Sequence, residues 1–130
     1  MKIIEQIKED EGFVGSVYND SLGVPTIGYG TKLPLSKDEA ELLLQHRFDK
    51  MRDELVLKVE YFSELPAGVK SVLLNMAYNL GVNGLSKFKK MWKALEVRNY
   101  KEAAKEMVDS KWYRQVGSRA TRLVMEMSRH

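Results

Sequence analysis

Apolar positions along the chain recur at helical spacing except in one stretch near the N-terminus. Ile3, Ile4 and Ile7 share a face over residues 2–11, and Gly12 follows where a helix would stop. Residues 13–31 lose that period. They carry Gly15, Gly23, Gly28 and Gly30 together with Pro25, and the β-prone runs Val17-Tyr18 and Thr26-Ile27-Gly28-Tyr29. Asn19-Asp20-Ser21-Leu22-Gly23 supplies turn chemistry between the runs, which predicts a small antiparallel sheet. Helical spacing returns after Ser36-Lys37-Asp38-Glu39, a capping-box pattern. Ala40, Leu44, Phe48, Met51, Leu55, Val59 and Phe62 then step by three or four, which predicts one long amphipathic helix over about residues 37–59.

Pro66 stands at a first helical position, Val69, Val72, Leu73, Met76 and Leu80 follow, and Gly81 is the expected stop. Shorter helices are predicted over 87–96 after Ser86, over 100–108 after Asn99 with Glu102, and over 119–128 after Gly117-Ser118. Ala120, Leu123, Val124 and Met127 form the last stripe, and Met91, Trp92, Met107 and Trp112 read as core. The predicted class is α+β, mostly helical.

With 130 residues, 44% of them hydrophobic, the chain has the length for a single domain with its own core. No run approaches the roughly 18 apolar residues of a membrane span, so no stable membrane association is expected. The chain has no cysteine, and its only histidines are His46 and His130, so no metal and no cofactor are expected. Glutamates interrupt the first residues early, unlike a secretory signal peptide, which predicts cytoplasmic accumulation. Charge is uneven. Residues 1–85 carry 9 basic and 13 acidic side chains, residues 86–130 carry 12 and 5, for net charges of −4 and +7. The basic end favours a polyanionic partner, among nucleic acid, anionic lipid and anionic cell wall.

Three positions carry candidate chemistry. Glu11 continues the stripe of Ile3, Ile4 and Ile7, so its carboxyl is expected among apolar side chains, where burial favours the protonated form of an acid. It also closes the acidic run Glu9-Asp10-Glu11 at a helix C-terminus, where the helix dipole prefers cations. Asp20 lies nine positions on, in turn chemistry, where a hairpin could hold it opposite Glu11. Such a carboxyl pair is what glycoside hydrolysis requires. In the run Thr26-Ile27-Gly28-Tyr29-Gly30, strand alternation would put Thr26, Gly28 and Gly30 on one face, a hydroxyl beside bare backbone that a sugar could approach.

Taken in order, Glu11-Gly12, Tyr18-Asn19-Asp20 and Pro25-Thr26-Ile27-Gly28-Tyr29-Gly30 resemble the active-site segment of the phage-type lysozymes, glycoside hydrolase family 24. Asn75-Met76-Ala77-Tyr78-Asn79-Leu80-Gly81 resembles that family's cleft-lining helix. Ser110-Lys111-Trp112-Tyr113 and Ser118-Arg119-Ala120-Thr121-Arg122 resemble its C-terminal signature. The resemblance implies a lysozyme-like fold: a small lobe over about residues 12–36, a connecting helix over about 37–59, and a helical lobe over about 60–130 that includes helix 2–11. It implies a muramidase that cuts the β-1,4 bond between N-acetylmuramic acid and N-acetylglucosamine in the peptidoglycan glycan strand. Glu11 would be the general acid, and Asp20 and Thr26 would flank the attacking water. An inverting reaction would set the two carboxyls about 6.5–9.5 Å apart.

Gly28, Gly30, Asn79 and Arg119 would line the substrate, Arg119 matching a family arginine that approaches the catalytic glutamate. Asn75, one turn before Asn79, is expected to be structural. The resemblance further implies a monomer, with no nucleic-acid partner, released to the wall through a holin-type pore as an endolysin in host cell lysis. Thr31 stands where some relatives have histidine, and the short stretch from Thr31 to Ser36 implies a trimmed small lobe. With no appended wall-binding domain, the basic C-terminal surface would do that work, and activity on whole walls would be salt-sensitive. Three rivals compete: a lysozyme-fold module that holds glycan without cutting it, a lytic transglycosylase, and a small basic nucleic-acid-binding protein.

Overall fold

A computed structural model describes residues 2–130. Seven α-helices, one 3-10 turn and three short strands follow in the order α1 (Lys2–Glu11), β1 (Val14–Asn19), β2 (Pro25–Gly28), β3 (Thr31–Lys32), α2 (Lys37–Lys58), the 3-10 turn Phe62–Glu64, α3 (Ala67–Ser86), α4 (Lys89–Glu96), α5 (Tyr100–Val108), α6 (Lys111–Val116) and α7 (Ser118–Ser128). The mostly helical α+β class holds. The chain divides into two compact units, the first ending at Leu44 and the second running Gln45–His130. No helix among the described residues is long and apolar enough to cross a membrane.

In the first unit, α1 ends as its sequence requires. Gly12 takes φ 69°, a region that costs a side-chain-bearing residue, and its N–H donates to the Lys8 carbonyl at 2.9 Å. The sheet is antiparallel in the order β1-β2-β3. Tyr18 pairs with Thr26 and Asn19 with Pro25, and the register shifts between Val14 and Tyr18. Thr26 pairs in turn with Lys32, and Ile27 with Thr31. The strand β3 was not expected from the sequence, since two residues are too few to carry a period. The expected capping box closes the start of α2. The Glu39 N–H donates to Ser36 Oγ at 3.2 Å and the Ser36 N–H to Glu39 Oε1 at 2.9 Å. The Ser36 backbone N–H holds the Glu39 carboxyl below its usual range.

The second unit carries the core. Leu55 is the one buried residue of α2. The predicted stripe is exposed at Ala40 and Leu44 and is covered only toward its C-terminal end. In α3, Val69, Val72, Leu73 and Met76 are buried, and Gly81 takes φ 79° and ψ 156°. The helix kinks at the expected stop and resumes to Ser86, because Val82 and Leu85 go on into the core. Ser86 therefore does not cap α4; its hydroxyl donates back to the Val82 carbonyl, and Phe88 is the N-cap residue. Met91, Met107 and Trp112 are buried as expected, and half-buried Trp92 donates its indole N–H to the Leu85 carbonyl at 3.0 Å. Asn99 caps α5 through the Glu102 N–H, and Ser110 caps the unforeseen α6 through the Tyr113 N–H. Ala120 and Met127 bury the α7 stripe.

Candidate active site

Glu11 is the last residue of α1, and the hairpin turn after β2 fixes where it lies. Lys8 Nζ sits 5.4 Å from the Tyr29 ring centroid, and Phe13 packs on Tyr29 at 5.5 Å, so the end of α1 and the tip of the turn share one cluster. The Glu11 carboxyl rests directly against the Cα of Gly30, where a Cβ would collide with it. Gly30 has φ 71°, which also suits glycine alone. The apolar setting expected for Glu11 is absent. Glu11 is exposed, the Ile3, Ile4 and Ile7 stripe is exposed as well, and α1 buries no residue. A stripe predicts which side chains share a face, and carries no information about whether that face is covered.

The expected face of Thr26, Gly28 and Gly30 also needs correction. The strand ends at Gly28, and Gly28-Tyr29-Gly30 forms a three-residue turn between the paired Ile27 and Thr31. Alternation stops there, and Gly30 meets Glu11 instead of extending the face of Thr26.

Asp20 closes the loop between β1 and β2. Its Oδ1 accepts from the Leu22 N–H at 2.9 Å and the Val24 N–H at 2.8 Å, and its own N–H donates to the Val24 carbonyl. Its Oδ2 lies 2.8 Å from Lys32 Nζ. The Lys32 ammonium first, and the Val24 and Leu22 N–H groups with it, pull the Asp20 carboxyl down to about 2 from an ordinary 3.8. The Lys32 ammonium is in turn pushed up, chiefly by its bond to Asp20 and also by the Glu11 charge. Thr26 is fully buried, and its hydroxyl donates to the Val24 carbonyl at 2.8 Å.

Asn79 and Arg119 belong to the second unit. Trp112 donates its indole N–H to Asn79 Oδ1 at 3.0 Å, which leaves the Asn79 amide N–H groups free to point elsewhere. Asn79 and Trp112 line a groove of about 760 Å³, whose wall carries Lys87, Lys89, Lys90 and Lys111 alongside Glu106 and Asp109. Arg119 donates to Asn75 Oδ1 at 2.8 Å and to the Asn75 carbonyl at 3.3 Å, which ties α7 to α3. Among the described residues, no three His, Cys, Asp or Glu side chains are grouped to hold a metal ion.

The sequence model of the family described as Phage lysozyme matches residues 8–128, a span that takes in Glu11, Asp20, Thr26, Asn79 and Arg119. The chain belongs to the phage lysozyme family. Two relatives in Dictyostelium discoideum agree with that. Probable T4-type lysozyme 2 is 26% identical over 92% of this chain and 89% of its own length, and Probable T4-type lysozyme 1 is 25% identical over 94% and 91%. The Pre-baseplate central spike protein Gp5 of Enterobacteria phage T4 is 29% identical over 96% of this chain but only 27% of its own length, so the likeness there is to one part of a longer protein. Membership of the family makes this chain a glycoside hydrolase of the lysozyme type, with peptidoglycan as the substrate class.

Lys32 is the residue the sequence reading missed. A signal was available: with a three-residue turn after Ile27, the position facing Thr26 across the hairpin is 32, so the lysine there belongs beside Asp20.

Proposed function

We propose that this chain hydrolyses the β-1,4 bond between N-acetylmuramic acid and N-acetylglucosamine with inversion at the anomeric carbon. Glu11 acts as general acid, and Asp20 and Thr26 place the water. The observation that supports this reading is that one small hairpin unit fixes both acids: the Glu11 carboxyl packs against Gly30 at the turn after β2, and Asp20 of the β1–β2 loop is held by Lys32 of β3. Glu11 gives its proton to the glycosidic oxygen as the bond from that oxygen to the anomeric carbon breaks. A water oxygen bonds to the same carbon from the other face, and its surplus proton passes to bulk solvent. Glu11 regains a proton from solvent, which closes the cycle.

The Asp20 carboxyl, held at about 2, is a weak proton acceptor at neutral pH. Its work is therefore to accept a hydrogen bond from the water and to set a fixed negative charge beside the oxocarbenium-like carbon. Thr26 spends its hydroxyl proton on the Val24 carbonyl, so toward water it can only accept. A water held between two acceptors donates both hydrogens to them and turns its lone pairs to the sugar. Because Thr26 is fully covered, the proposal requires the side chains over it to shift as glycan enters.

Purified peptidoglycan treated with the wild-type chain should release reducing ends. Proton NMR should show the new anomer forming first in the α configuration. Anhydro-sugar products would identify a lytic transglycosylase instead, and wall binding without release would identify a glycan-holding module. Thr26→Val keeps the shape and removes the acceptor. Its turnover should fall by about 10²-fold, within the range for positioned proton-transfer groups, with a stability loss near 1 kcal/mol from the lost hydrogen bond to the Val24 carbonyl, which keeps the Asp20 N–H as a donor. Turnover within twofold of wild type, with that stability loss present, would reduce Thr26 to a packing residue.

A further inference from the structure

Asp20 is held from more sides than its place in a turn requires. An ionised carboxylate offers about four acceptor positions on its two oxygens. The Leu22 and Val24 N–H groups occupy those of Oδ1, and the Lys32 ammonium occupies one on Oδ2 at 2.8 Å. One position on Oδ2 remains, and Lys32 decides which way it faces. The sheet fixes Lys32 in turn. Tyr18 opposes Thr26 across β1 and β2, and Thr26 opposes Lys32 across β2 and β3, so the three side chains form one row on one face of the sheet. Asp20 is only 14% exposed while Lys32 is 51% exposed, so the carboxylate is the sheltered partner and the ammonium reaches in to it. A pair with one partner this exposed contributes little to stability, so stability alone is a weak reason for a lysine at this position.

We propose that Lys32 is a positioning residue of the hydrolytic site: its ammonium clamps Asp20 through Oδ2 and leaves the carboxylate a single acceptor position, aimed at the attacking water. The role rests on the hydrolytic reading above. The charged and titratable groups that act on the Lys32 ammonium are Asp20 from the β1–β2 loop, in direct contact, and, through their charge, Glu11 from the end of α1 and Tyr18 from β1. With the ammonium present, Asp20 stays ionised as pH falls through 4; without it, the carboxylate takes up a proton in that interval and loses its acceptor function. Lysine acts here as a point charge, and arginine at the same place would keep the charge with a different fork.

The experiment compares wild type, Lys32→Met and Lys32→Arg by two measurements: carboxyl ¹³C NMR titration of Asp20, and reducing-end release from purified peptidoglycan between pH 3 and 7. In Lys32→Met the Asp20 midpoint should rise from about 2 toward 3.8, and the acid limb of kcat should move up with it. At pH 6 kcat should fall about tenfold with KM within twofold, the mark of lost orientation rather than lost binding. Lys32→Arg should keep the low midpoint and recover most of the turnover. An Asp20 midpoint that does not move would show that no clamp exists in solution. A midpoint that moves while kcat and its acid limb stay put would leave only a surface ion pair; either result overturns the proposal. If wild type releases no reducing ends at any pH, the hydrolytic reading fails and the role falls with it. The titration still reports the ion pair in that case, so the two failures are told apart.

Discussion

Glu11→Gln should lose about 10²–10⁴-fold in kcat on purified peptidoglycan, the span a positioned proton donor contributes, while its melting temperature stays within about 2 °C of wild type. The two halves of this expectation have separate causes. Glutamine keeps the size and polarity of the side chain but has no acidic proton for the leaving oxygen. Glu11 is exposed and makes no ion pair among the described residues, so its removal takes nothing from the fold. KM should change little, because a proton delivered as the bond breaks is an interaction of the transition state. Reducing-end release and a thermal melt on the same preparation decide it. A variant that keeps more than a tenth of wild-type turnover would remove Glu11 from the mechanism.

Gly30→Ala should separate geometry from identity at the same site. The added methyl group meets the Glu11 carboxyl, and the backbone there has φ 71°. The side chain of Glu11 can swing aside, so the collision itself costs the fold little. The left-handed backbone costs about 1–2 kcal/mol for alanine. Catalysis should suffer more, because displacing a reacting group by about 1 Å is enough to lose on the order of 10²-fold in rate. The pair supplies its own control. In a Glu11→Gln background, Gly30→Ala should add almost nothing to the loss of turnover while keeping its full effect on urea stability, since both changes act through one carboxyl. Additive losses of activity in the double variant would mean that Gly30 serves the substrate directly.

Much of this was legible in the residues. Ser36 and Glu39 announce a helix start because a capping box is a local structure, complete within four residues. Gly12 and Gly81 mark breaks for the same local reason, since a positive φ is a property of one residue. The family, too, could be read from the order of short motifs from Glu11 to Arg122, and the match over residues 8–128 agrees. Ser86 misled because a serine near a helix start suits a cap, yet continued burial of Val82 and Leu85 carried the preceding helix past the break at Gly81. The face assigned to Thr26, Gly28 and Gly30 failed because alternation was extended through a turn that the sequence does not delimit.

The sequence by itself determined the helical periods, their caps and breaks, the glycine-rich interruption that becomes the sheet, and the residue types able to do glycosidic chemistry. Each depends on neighbours within a turn or a hairpin, where spacing along the chain is nearly spacing in space. Only the tertiary structure decided that Glu11 is exposed, that its carboxyl leans on the bare Cα of Gly30, that Thr26 is sealed in, and that a lysine from β3 holds Asp20. Those facts depend on which atoms meet across the sheet and over the turn, and they govern whether a carboxyl is solvated, how it is oriented and how tightly it keeps its charge.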